Sequence, residues 1–173
     1  MPRHWAEIGL IVAGLCLLVT AGWRVTERAL FQSRPEVVEA FRPGLRLLGR
    51  LEIPRLGMAV LVVDGADENA LSVAAGHVAG TAALGGSGNA VIAGHRDAEF
   101  RALRGIRVGD RLRVSADRTY VYVVRRILVV SRNDTRVLAP QSAAGLTLVT
   151  CYPFRYVGDA PERFIVQAEL VGT

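Results

Sequence analysis

The hydrophobic rhythm of the chain changes once. From Ile8 to Trp23 the residues are uncharged and mostly apolar, with Arg3 and His4 before the run and Arg24 after it. Such a run predicts a helix, although it is short against the ~17–25 residues that a membrane span takes. Trp5, Trp23 and snorkelling arginines at its edges extend it toward an uncleaved anchor. A cleaved signal peptide is the rival reading, but small residues around Ala21 make no good A-x-A site. Residues 1–30 are therefore read as a membrane anchor. Residues 31–44 are read as a tether, with a short turn through Glu36–Ala40 and a stop at Pro43-Gly44.

From Leu45 the pattern breaks into short β-type runs separated by turn residues. Leu47–Ile53 and Met58–Val63 are predicted strands on either side of Pro54 and Gly57, and Ala90–Ala93 is a third. Asp110–Val114, Thr119–Val124, Ile127–Val130, Leu146–Cys151 and Arg163–Leu170 bring the number to eight. Asp67–Ala75 reads as one or two helical turns with an Asp start, and Glu99–Arg104 as a short helix. Gly85-Gly86-Ser87-Gly88-Asn89 precedes a strand rather than a helix and lacks the lysine of a phosphate cradle, so it reads as a flexible turn. Eight strands with no long helix between them predict a mainly β domain over 45–173, closed as an antiparallel or mixed barrel.

Composition narrows the class. The 173 residues suffice for one domain with a sizeable core plus an extension. All 21 basic residues are arginine, and the net charge is +5. These arginines are scattered without an aromatic-interleaved basic run, which argues against nucleic-acid binding. The two cysteines, Cys16 and Cys151, and the histidines show no CxxC or HxxxH spacing, so no metal or other cofactor is expected. Cys16 follows Leu15, too large a residue for a lipoprotein cleavage site. No acidic loop is dense enough to suggest calcium.

Cys151 ends the run Thr147-Leu148-Val149-Thr150-Cys151, and Tyr152-Pro153 stops it. A thiol at the end of a strand is held by the sheet but can still be open to a cleft, a good place for a nucleophile. This pentad resembles the TLxTC signature of sortases, cysteine transpeptidases that attach proteins to bacterial surfaces. Ile92-Ala93-Gly94-His95-Arg96-Asp97 resembles the family's histidine segment, and Ala160-Pro161 leading to Arg163-Phe164-Ile165-Val166 its arginine strand. Leu51-Glu52-Ile53-Pro54 resembles the entry to its first strand. The pattern covers about Leu45 to Val171 and is most similar to class D sortases. The resemblance implies an eight-stranded sortase-type barrel behind an N-terminal transmembrane helix, single-pass, with the catalytic domain outside the cell.

It also implies that Cys151 attacks a peptide carbonyl in a C-terminal LPxTG-like sorting signal. A thioacyl-enzyme forms and passes to an amine acceptor, a peptidoglycan precursor or a pilin lysine. His95 then serves as acid and base, and Arg163 stabilises the oxyanion. His77 reads as structural or lining the cleft, Asp97 as a solvated charge or helix cap, and Thr150 as packing or a substrate-backbone contact. Arg155 belongs to the substrate rim or solvent. Two other readings stand beside this one. An L,D-transpeptidase pairs Cys and His close together in sequence, unlike His95 and Cys151. A non-catalytic surface-assembly module would keep the barrel without the chemistry.

Overall fold

The computed structural model describes residues 3–33 and 44–173. The expected turn through Glu36–Ala40 and most of the tether lie outside the described residues. The apolar run lies inside a single helix, α1 (Arg3–Ser33). Large apolar side chains between Ile8 and Trp23 are exposed, Leu10, Leu17 and Trp23 among them. Among the described residues no helix is long and apolar enough to cross a membrane. The expected transmembrane helix is thus a helix whose apolar run is shorter than the ~20 residues that a bilayer core takes.

Eight strands follow: β1 (Leu47–Ile53), β2 (Met58–Asp64), β3 (Ala75–His77), β4 (Asn89–Ala93), β5 (Arg111–Ser115), β6 (Thr119–Ser131), β7 (Gly145–Tyr152) and β8 (Glu162–Gly172). They close into a barrel in the order β1-β2-β3-β4-β7-β8-β6-β5. Two pairs, β2/β3 and β4/β7, are parallel, and the others are antiparallel. The mixed barrel is therefore the form adopted. Alternation sends Leu51, Val62, Ile92, Leu112, Leu148 and Val166 into one buried core. A helical turn, α2 (Glu68–Leu71), begins at Asp67, whose side chain accepts from the Ala70 amide. Ala70 joins Leu61 and Val63 in a smaller cluster, so β2 is buried on both faces.

The strand count agrees with the sequence reading, but the strands are not the same eight. Thr119–Val124 and Ile127–Val130 are one continuous strand, β6. Arg125 and Arg126 make no turn. They form a bulge, where Val124 pairs with Ala168 and Arg126 with Gln167. The bulged-out Arg125 pairs with Glu169 at 2.8 Å. The missing strand is β3, of which the sequence reading places Ala75 in the preceding helical turns and Gly76 and His77 in no element. It has no β-branched residue, and Gly76 is required because a Cβ there would lie 2.3 Å from the Gly65 carbonyl oxygen. The helix expected at Glu99–Arg104 is a tighter 3-10 segment, Arg101–Gly105. The glycine-rich loop is not free: the Gly85 amide donates to the Tyr122 hydroxyl at 2.9 Å, and the Tyr120 ring packs where a Gly85 Cβ would stand.

Arg55, in the 3-10 turn Pro54–Leu56, clasps this end of the barrel. It forms a two-pronged pair with Asp110 and donates to the Gly105 carbonyl oxygen. Asp110 is nearly buried and also accepts from the Arg107 amide. The Arg55 hydrogen bond holds the Asp110 carboxyl below the usual carboxylate range, against the opposing effect of burial. A depressed carboxyl stabilises the fold above its unfolded pKa, and that stability is lost as pH falls through the folded value. Denaturant midpoints should therefore drop below about pH 4. Asp110→Asn should lower the midpoint at neutral pH and remove part of that acid-side loss.

Candidate active site

The site is assembled by register. The parallel β4/β7 ladder ends at Ala93 opposite Val149 and is carried one step further by the Gly94 amide, which donates to the Val149 carbonyl oxygen at 3.1 Å. His95 and Cys151 each stand two residues past that last pair, so the same end of the barrel carries both. Across the antiparallel β7/β8 ladder, Cys151 is paired directly with Arg163. Thr147, Val149 and Cys151 share the face away from the core residues Leu146 and Leu148. Arg163 lies on that same face, while Phe164 packs against the core beside Tyr152 and Phe154.

Two threonines of the pentad fasten β7 to β4. Thr147 Oγ1 donates to Asn89 Oδ1 at 2.7 Å, where β4 begins. Thr150 Oγ1 donates to the Gly94 carbonyl oxygen at 2.7 Å, just past its end. Both threonines are buried. Thr150 therefore holds the histidine segment rather than a substrate backbone. Gly94 is needed for contact rather than for conformation: a Cβ there would lie 2.9 Å from the buried Phe100 ring. The His95 carbonyl oxygen accepts from the Ala98 and Phe100 amides, which tightens the following turn.

His95, Cys151 and Arg163 line one cleft of about 400 Å³, together with Arg132, Asp159 and Ala160. Cys151 is half-buried and unpaired as a thiol. Arg163 is fixed by its own loop, Nη1 donating to the carbonyl oxygens of Ala160 and Glu162 at 3.1 and 2.9 Å. Among the described residues its Nε and Nη2 have no protein acceptor, which leaves a guanidinium edge for another ligand. Arg96 acts as a strap between segments. Its Nη2 donates to the carbonyl oxygens of Tyr156 and Gly158, and its guanidinium lies 5.8 Å from the Tyr156 ring centroid. Among the described residues no cluster of His, Cys, Asp and Glu could hold a metal.

His77 stands apart from this cleft. It is a buried β3 residue whose Nε2 lies 2.8 Å from the Ala82 carbonyl oxygen and 3.2 Å from Thr81 Oγ1. It is structural and does not line the cleft. Asp97 is exposed on the cleft wall and caps no helix. Arg132, Asp159 and the strap made by Arg96 escaped the sequence reading. Arg96 was visible beside His95, but its partners lie about sixty positions away.

A family model described as the sortase domain matches residues 51–171. Sortase D of Bacillus subtilis (strain 168) is 34% identical over 125 residues, covering 71% of this chain and 63% of that protein. Sortase A of Bacillus anthracis is 27% identical over 143 residues, covering 80% and 66%. The matches thus span just under two thirds of the curated relatives' length. Among solved structures, sortase A from Corynebacterium diphtheriae superposes with a TM-score of 0.70 at 28% identity, covering 76% of this chain and 64% of that one. A Clostridium perfringens sortase D5 transpeptidase superposes at 0.67 with 26% identity, covering 85% and 94%.

The Thr150 hydroxyl is testable separately from any chemistry. Thr150→Val keeps the shape and leaves the Gly94 carbonyl unpaired in a buried place, at a cost of about 1–3 kcal/mol in urea denaturation. Thr150→Ser should recover most of it. A valine variant as stable as the parent would remove this hydrogen bond from the list of what holds the site.

Proposed function

The chain belongs to the sortase family, and from that premise we propose that it is a class D cysteine transpeptidase acting on a C-terminal LPxTG-like sorting signal. The observation that carries the reading is the convergence of His95, Cys151 and Arg163 on one cleft, from three strands paired side by side. In this reading the Cys151 thiolate attacks the scissile carbonyl, forming a C–S bond. The free edge of Arg163 donates to the oxyanion that develops. His95 protonates the leaving amine as the peptide C–N bond breaks, leaving a thioacyl-enzyme. An amine acceptor then gives a proton to His95 and attacks the thioester, and Cys151 leaves as thiolate. The acceptor is a peptidoglycan precursor or a pilin lysine. Arg163 is suited to the oxyanion because two backbone carbonyls fix its guanidinium before substrate arrives.

Attachment to the cell membrane through residues 8–23, with the catalytic domain extracytoplasmic, completes the reading. A run of exposed apolar side chains from Ile8 to Trp23 calls for an apolar surrounding. The full-length protein should stay in the membrane fraction through alkaline carbonate washing. A soluble form beginning near Gly22 or Trp23 would show a cleaved signal instead.

A fluorogenic LPxTG-type peptide and a small amine test the chemistry. In a chain lacking residues 1–30, Cys151→Ala should abolish both cleavage and thiol labelling. Arg163→Lys keeps the charge but loses the planar fork. Its kcat/KM should fall by roughly 10²-fold or more, the scale of one lost oxyanion donor. Alkylation of Cys151, which builds no oxyanion, should change little. Cleavage retained by Cys151→Ala would sink the mechanism, and no cleavage by the parent would favour a non-catalytic module.

A further inference from the structure

A second concavity adjoins the catalytic one. It encloses about 250 Å³ and is lined by Arg96, Asp97, Arg101, Arg104, Phe154 and Arg155. It shares Arg96 and Asp97 with the cleft of Cys151 and His95, so the two are joined through a common wall. Four guanidiniums and a single carboxylate make that lining cationic. Arg101, Arg104 and Arg155 are exposed, and among the described residues none of them has an ion pair or a side-chain hydrogen bond. Elsewhere the chain pairs arginines with acids, as Arg46 with Asp64, Arg125 with Glu169 and Arg136 with Asp134. Here the arginines converge on open space instead.

Arg96 adds an independent sign. Its Nη2 is engaged by the Tyr156 and Gly158 carbonyls, yet its Nη1 is buried with no acceptor among the described residues. A buried cationic N–H without an acceptor is costly, and an anion in the adjoining space relieves it. Glu99 Oε2 is likewise buried without a partner, but Glu99 does not line the concavity. Guanidinium forks gathered around one space match the planar, multi-oxygen geometry of carboxylate and phosphate.

We propose that this arginine-walled concavity seats the anionic group of the amine acceptor, a carboxylate or phosphate carried on the same molecule as the attacking amine. The inference rests on the transpeptidase reading. An acceptor anchored there lies across the shared wall from the thioester on Cys151. Its nitrogen forms the new C–N bond as the C–S bond breaks, its proton goes to His95, and Cys151 leaves as thiolate. The site thereby selects which amine resolves the thioacyl-enzyme, and it leaves the sorting signal to the other cleft.

Matched acceptors test this with the full chain in detergent. Diglycine is compared with glycyl-glycinamide, and phosphoethanolamine with ethanolamine, by kcat/KM for acceptor at saturating sorting peptide. Each anionic acceptor should exceed its neutral match by about 10-fold at low salt, and the advantage should shrink near ~0.5 M salt as screening sets in. The pair with the larger advantage tells carboxylate from phosphate. Arg101→Ala/Arg104→Ala/Arg155→Ala should bring the ratio close to one, while the triple lysine variant keeps most of it. All three side chains are exposed, and melting curves check that the fold is kept. Calorimetry with inorganic pyrophosphate and with diglycine needs no turnover, and millimolar binding should be lost in the triple alanine variant. A ratio untouched by truncation overturns the proposal, as does a loss seen equally with neutral acceptors or only in the KM for sorting peptide. If no thioacyl-enzyme forms at all, the transpeptidase reading fails. The calorimetry then still decides whether the arginines bind an anion, and absence of binding overturns the site.

Discussion

The pairing of β7 with β4 is the constraint on which the rest of the site depends. Parallel ladders are held by slanted backbone bonds and are slightly weaker per residue than antiparallel ones. Here two buried hydroxyls reinforce the ladder, Thr147 where β4 begins and Thr150 just beyond its end. A slip of one residue would turn Cys151 inward and bring Leu148 out. It would also break both side-chain bonds, because each threonine meets a partner at a fixed position. The register that fills the core is therefore the register that sets the thiol beside the histidine segment. Packing and site geometry are one specification.

The same economy governs the charged residues. Arg55 joins the first turn to Gly105 and Asp110, and so holds the 3-10 segment that follows His95. Arg96 joins the residue after His95 to the loop between β7 and β8. Arg163 spends one nitrogen on the carbonyls that precede it and keeps an edge free. At Arg55 and Arg96 a planar, multi-donor cation bridges segments far apart in sequence, which a point-charge ammonium does less well, whereas Arg163 bonds within its own loop. The chain's exclusive use of arginine thus has a structural use at these three places.

What the sequence made legible follows from how local each signal is. The β7 run, its alternation and the side of β8 on which Arg163 lies are short-range patterns, and all were readable. β3 was not, because Ala75-Gly76-His77 becomes a strand only through its neighbours β2 and β4. β6 was read as two strands because Arg125-Arg126 interrupts an apolar alternation, and only the partner strand shows that the interruption is a bulge. His95, Cys151 and Arg163 were legible as candidates through motif resemblance. The strap at Arg96 and the cleft residues Arg132 and Asp159 were not, since their positions are fixed by contacts across the barrel. The glycine-rich loop shows the same limit: composition suggested freedom, and Tyr120 and Tyr122 remove it.

The bond between Thr150 and Gly94 spans 56 positions of the chain. Closing so long a loop costs entropy before any contact rewards it, and parallel pairings of this kind form slowly. A chain whose barrel has not closed carries His95 and Cys151 without bringing them to one cleft. The grouping of these side chains thus arrives with the last long-range contact rather than with either residue itself. The cleft is a property of the closed barrel, and no fragment lacking β4, β7 or β8 carries it.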